Sequence, residues 1–154
     1  CDKYNFQVVC IPPNSDPGSH KMKMVLEKYS DEGWLIKAET LPRLQFINLM
    51  RHAKALVGNS SMGILEAPHY KLPVVNIGNR QQGRLNAGNV EFVPYINDEI
   101  IIAVEKATLD DEYRQKIKNL KNPFGDSSAP QKVMEAIESV DINERKWYVK
   151  QKLC

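Results

Sequence analysis

No stretch of this chain approaches the roughly 20 consecutive apolar residues of a membrane-spanning helix, so no membrane partner is expected. Neither sign of charge dominates: 21 lysines and arginines are interspersed with 19 aspartates and glutamates, for a formal charge of +2. That balance lacks the basic stripe that marks a nucleic-acid-binding surface. Cysteine is scarce. Cys1, Cys10 and Cys154 are odd in number, two stand at the termini, and they show neither metal-ligand spacing nor a disulfide framework. A reducing, cytoplasmic setting fits that usage. His20, His52 and His69 are dispersed and read as solvated or half-buried side chains, so no metal site is expected. No G-x-S-x-G elbow marks a serine hydrolase, and no paired carboxylates sit in an apolar context suited to acid–base work. The chain opens on Cys1 without a methionine or a signal-peptide pattern, and is expected to be a fragment of a longer protein.

What is present is an ordinary globular composition, 42% hydrophobic and 26% charged over 154 residues, enough for one well-buried domain. Residues 6–11 (FQVVCI) form a continuous apolar run that predicts a strand buried on both faces. Residues 12–19 (PPNSDPGS) forbid regular structure and predict a loop. Met22, Val25, Leu26 and Tyr29 recur at helical spacing, and residues 34–36 make a second short strand. Pro42 suits the first position of a second helix, whose buried face is expected to carry Leu44, Ile47 and Met50. Ala55, Leu56 and Val57 predict a third strand, and Ile64, Leu65 and Ala67 a helix that Pro68 kinks or shortens. Val74–Ile77 and the run Val90, Phe92, Val93 predict two more strands. Helices follow around Ile100, Ile101, Val104 and Ala107, then Tyr113, Ile117 and Leu120, and last Val133, Ile137 and Val140. Residues 141–154 form a charged tail. Strands alternating with helices imply an α/β fold, a Rossmann-like parallel sheet with helices on both faces. Ligands of such folds sit outside the carboxyl ends of the strands, which directs attention to loops 12–19, 58–63 and 78–88.

The stretch GNSSMGILEAPHYKLPVVNIGNRQQGR, residues 58–84, looks built to hold an anion. Ser60 and Ser61 stand where a helix begins, with hydroxyls and unpartnered N–H groups that suit a phosphate or diphosphate. The plain alternative is N-capping, for which serine is a preferred residue. Glu66 would repel a phosphate but can accept both hydroxyls of a ribose; its plain alternative is a first-turn glutamate favoured by the helix dipole. Arg80 and Arg84 lie in a glycine-bounded loop and can neutralise diphosphate charge through directed hydrogen bonds. The chain looks equipped to bind and poorly equipped to catalyse by itself.

The patterns N-S-S-x-G-I-x-E at residues 59–66 and G-x-R-Q-x-G-R at residues 78–84, together with the segments 13–19 and 122–126, closely resemble UDP-N-acetylglucosamine 2-epimerases of the hydrolysing kind. The resemblance spans about residues 7–140 in the right order. It implies a GT-B architecture with the UDP-sugar between two Rossmann-like domains. Residues 1–140 would form the C-terminal, UDP-binding domain, and the 141–154 tail would pack on a missing N-terminal domain. Carried over by position, Ser60 and Ser61 would bind the diphosphate, Glu66 the ribose hydroxyls and Arg80 the nucleotide's phosphate side, with Gly63 among the UDP-binding residues. Asn14 would line the cleft and the backbone at Leu41 would meet the uracil, with Asp16 and Arg84 as secondary candidates. No cofactor is implied. The acid–base carboxylates and a histidine of the family belong upstream, so no catalytic residue is assigned here. The family reaction gives N-acetylmannosamine and UDP for sialic-acid-type synthesis, in a full-length protein expected to be homo-oligomeric. The alternatives are a donor-binding domain of a GT-B glycosyltransferase, a non-hydrolysing epimerase, or a non-enzymatic sugar-nucleotide sensor. Two motifs depart from the family pattern: Gly125-Asp126-Ser127 stands for Gly-Asp-Gly, and Pro12-Pro13-Asn14 for an aromatic-Pro-Asn triplet.

Overall fold

The computed structural model describes residues 4–13, 17–141, 143 and 144. Its contacts fall into two compact units, Cys1–His52 and Ala53–Cys154, each built on its own parallel ladder.

In the first unit, β1 (Val8–Cys10) runs parallel to β2 (Leu35–Lys37), with Val8 opposite Leu35 and Cys10 opposite Lys37. α1 (Ser19–Lys28) forms the crossover between them, as a parallel pair requires. Pro12 and Pro13, which lack backbone donors, follow β1 and keep the apolar run from extending as a ladder. The strand is half-buried throughout rather than buried on both faces as expected. α1 starts at Ser19 because Gly18, at φ 92°, takes the left-handed turn into it. The predicted apolar stripe is present, but Met22, Val25 and Tyr29 are exposed and Leu26 is half-buried. α2 (Arg43–His52) begins just after Pro42, whose carbonyl accepts from Phe46 N–H at 3.0 Å. Its buried face holds Met50 with Phe46, Ile47 and Leu49 half-buried; Leu44, in the first turn ahead of that stretch, is 76% exposed.

The second unit carries β3 (Leu56–Gly58), β4 (Val74–Ile77) and β5 (Val90–Val93), all parallel, in the order β3-β4-β5. The central strand is the buried one: Val74, Val75 and Asn76 are all inside. α4 (Asn97–Leu109) packs on this sheet through Ala103 and Ala107, whose small side chains admit close approach to Val75 and Val93. Ile100 and Val104 flank that contact, whereas Ile101 points outward. α5 (Asp111–Lys118) is capped by Asp110, whose carboxylate accepts from Tyr113 N–H at 2.9 Å, and it buries Ile117 completely. α6 (Ala129–Glu138) shows Val133 and Ile137 at its surface. Of the 141–154 tail, only residues 141, 143 and 144 are described.

Candidate functional site

Parallel strands place their carboxyl ends along one edge, so the loops after β3 and β4 emerge side by side. The first contains Asn59, Ser60 and Ser61 and leads into α3 (Met62–Leu65). The helix ends after one turn. Pro68 has no N–H to donate to the Ile64 carbonyl, and the chain tightens into a 3-10 turn over Ala67–Tyr70. This is the shortening that Pro68 predicts. It also corrects the role expected for the helix: four residues align too few peptide dipoles for a macrodipole to carry an anion site. What the turn offers instead is local polar groups.

Ser60 is exposed and accepts from Met62 N–H through its hydroxyl at 3.4 Å, a weak form of the capping interaction. Ser61 is half-buried and its carbonyl anchors the N–H groups of Ile64 and Leu65. Glu66 is half-buried at the junction between α3 and the 3-10 turn, so the first-turn position imagined for it does not exist. Gly63 is buried for a packing reason. A Cβ there would stand 2.8 Å from Val74 Cγ1, so the missing side chain lets α3 lie directly on β4.

The second loop starts at Gly78, where φ is +84° and the Tyr95 ring fills the space a Cβ would need. Arg80 and Arg84 are both exposed on this loop. Between them, Gln81 is only 4% exposed. Its Nε2 donates to the Asn59 carbonyl at 3.1 Å, and its Oε1 accepts from Arg84 Nη1 at 2.8 Å. The two candidate loops are thereby joined by one buried amide. Asn89 makes a comparable tie below them, donating to the Gly63 and Leu72 carbonyls at 3.3 and 3.1 Å. Neither amide stands out as a candidate in the sequence. Gln81 lay inside the G-x-R-Q-x-G-R pattern, while Asn89 gave no signal, because its partners are backbone carbonyls distant in the chain.

Asn14 and Asp16 lie outside the described residues, and Leu41 is half-buried ahead of α2 in the first unit. A cleft of about 300 Å³ lined by Asn5, Phe6, Gln7, Glu32, Gly33 and Trp34 opens at the amino ends of β1 and β2, and none of the candidate residues lines it. Cys10 is a free, half-buried thiol whose pKa burial pushes up, which makes it a poorer nucleophile. Among the described residues no cluster of His, Cys, Asp and Glu could hold a metal ion, and no helix is long and apolar enough to cross a membrane. In the departing motif at 125–127, Ser127 adopts φ +74°, so it keeps the left-handed backbone that glycine would hold without strain. The Asp126 carboxyl is held below its usual range by the Ser128 hydroxyl and backbone N–H.

The family model described as UDP-N-acetylglucosamine 2-epimerase matches residues 1–138. Among curated relatives, the UDP-N,N'-diacetylbacillosamine 2-epimerase (hydrolyzing) of Legionella pneumophila is 31% identical over 141 residues, 92% of this chain and 36% of the relative. The UDP-N-acetylglucosamine 2-epimerase of Neisseria meningitidis is 33% identical over 103 residues, 65% of this chain and 26% of the relative. The chain thus spans about a third or less of the curated relatives it matches. A crystal structure of the Neisseria meningitidis UDP-GlcNAc 2-epimerase bound to UDP-GlcNAc superimposes with a TM-score of 0.70 at 25% identity, covering 89% of this chain and 38% of that one. The Rossmann-like α/β fold is also shared with a UDP-GlcNAc 2-epimerase of Methanocaldococcus jannaschii, TM-score 0.66 at 18% identity, covering 89% and 37%.

Proposed function

Because the chain belongs to the UDP-N-acetylglucosamine 2-epimerase family, we propose that it is the C-terminal, UDP-binding half of a GT-B enzyme of the hydrolysing type. The reaction is the conversion of UDP-N-acetylglucosamine, or a related UDP-2-acetamido sugar, and water to the free 2-epimer and UDP. The observation that carries this reading is the joining of the Ser60–Ser61 turn to the Arg80–Arg84 loop at one sheet edge. Support for the hydrolysing type comes from the Asn59-Ser60-Ser61 turn and from the relatives of Legionella pneumophila and Campylobacter jejuni, both described as hydrolyzing.

In this reading the chain's residues grip the leaving group. Ser60 and Ser61 donate to the diphosphate, and Arg80 and Arg84 supply positive charge beside it. Charge grows on the diphosphate as the bond to the sugar breaks, so donors fixed in advance lower that barrier. Glu66, at the end of α3, takes the ribose hydroxyls; the uracil falls to the Leu41 backbone, and Asn14 and Asp16 are further candidates for contact with the nucleotide. Proton removal at the sugar's C2 falls to carboxylates of an N-terminal domain outside this chain. The full-length enzyme is proposed to be cytoplasmic and homo-oligomeric.

The test is a UDP titration and a UDP-release assay on this chain alone. Measurable but weak UDP binding with no turnover is expected. A folded chain that ignores UDP, or one that releases UDP from UDP-N-acetylglucosamine, overturns the proposal.

A further inference from the structure

We propose that Gln81 is a positioning residue that aims the Ser60–Ser61 turn at the diphosphate, and that Arg84 acts on the site through it. This rests on the UDP-binding reading above. Gln81 is 4% exposed, although Arg80, Gln82, Gly83 and Arg84 around it are all exposed. Glutamine is seldom fully buried, and a buried amide is costly unless both of its ends are satisfied. Here both are. The Asn59 carbonyl can only accept and the Arg84 guanidinium can only donate, so the amide has one possible orientation, Nε2 toward Asn59 and Oε1 toward Arg84.

The consequence lies in the next peptide unit. The Asn59–Ser60 peptide is planar and trans, so its C=O and N–H point in opposite directions. Fixing the Asn59 carbonyl on Gln81 therefore fixes the direction of the Ser60 N–H as well. Arg84 holds the other end of the amide at 2.8 Å, and its own N–H reaches the Gln81 carbonyl at 3.4 Å. A charged donor on Oε1 polarises the amide and strengthens its bond to Asn59. Loss of Arg84 therefore loosens the serine turn even where the guanidinium itself touches no ligand.

The experiment uses the full-length protein carrying this chain, with UDP and uridine as calorimetric ligands and the melting temperature recorded for each variant. Gln81→Met keeps the volume and removes both bonds; Gln81→Glu keeps an acceptor for Arg84 but sets a second acceptor against the Asn59 carbonyl. Both are expected to weaken UDP binding by about tenfold or more and to leave uridine binding unchanged, because uridine carries no diphosphate. Equal loss for UDP and uridine, or unchanged UDP affinity in a variant that melts like the parent, overturns the proposal. Should Gln81→Met not fold, Gln81→Glu decides by the same two criteria. If the unsubstituted protein binds no UDP, the functional reading fails first, before any variant is compared.

Discussion

The two ladders of this chain are written in similar residues and end in different states. β1 is Val-Val-Cys and β4 is Val-Val-Asn-Ile, yet every residue of β1 is half-buried while Val74, Val75 and Asn76 of β4 are fully inside. Within its unit β1 has one hydrogen-bonded neighbour, whereas β4 has β3 on one side, β5 on the other and α4 across its face. Burial is a property of a strand's neighbours, and apolar residues alone do not confer it. The difference also bears on the site. Both serine turn and arginine loop spring from the buried ladder, where a packed sheet can hold them still.

The sharpest way to break this comparison is to truncate one side chain in each unit. Ile64, beside the serine turn, is 1% exposed, and Ile64→Ala is expected to cost about 2–5 kcal/mol in urea unfolding. Val9→Ala, in the half-buried strand, is expected to cost less than about 1 kcal/mol. Similar losses from the two would abolish the distinction. A smaller effect is expected where α3 lies on β4. Gly63→Ala forces a methyl to within 2.8 Å of Val74 Cγ1, an overpacking of about 1–3 kcal/mol. Unchanged unfolding would mean that α3 is free to shift. The smallest effect belongs to the far side of the same core. Tyr113 is pushed up to about 12, first by burial and then by the Glu91 charge. Its folded value lies above the unfolded one, so the stabilisation is complete below about pH 10 and fades as pH rises toward 12. Tyr113→Phe should flatten that alkaline decline in melting temperature, and matching profiles for variant and parent would count against the assignment.

Much of this architecture was legible in the residues. Periodicity placed every described strand to within about two residues, Pro68 announced the break after α3, and the glycine-bounded loops marked the edge that matters. Helical stripes were legible as stripes but not as buried ones: Met22, Val25, Val133 and Ile137 all recur correctly and all face outward. A stripe records what an element can bury, and nothing in its spacing says what will cover it. Of the candidate residues, Ser60, Ser61, Arg80 and Arg84 sit on adjoining loops, and Gly63 also has a packing reason to be glycine, its contact with Val74. Gln81 and Asn89 are not legible as ties because their amide N–H groups reach backbone carbonyls distant in the chain, which carry no mark in the sequence.

Gly78 and Tyr95 impose an order on the changes this corner can accept. A side chain at position 78 is obstructed twice, by the Tyr95 ring and by a backbone at φ +84°. Tyr95 is itself 74% exposed, so losing its ring removes little buried surface. An alanine at 78 must push the exposed Tyr95 ring aside and still carries a left-handed backbone costing about 1–2 kcal/mol. With a smaller residue at 95 only the backbone cost remains, so the two positions are coupled: 78 changes at less cost once 95 has shrunk.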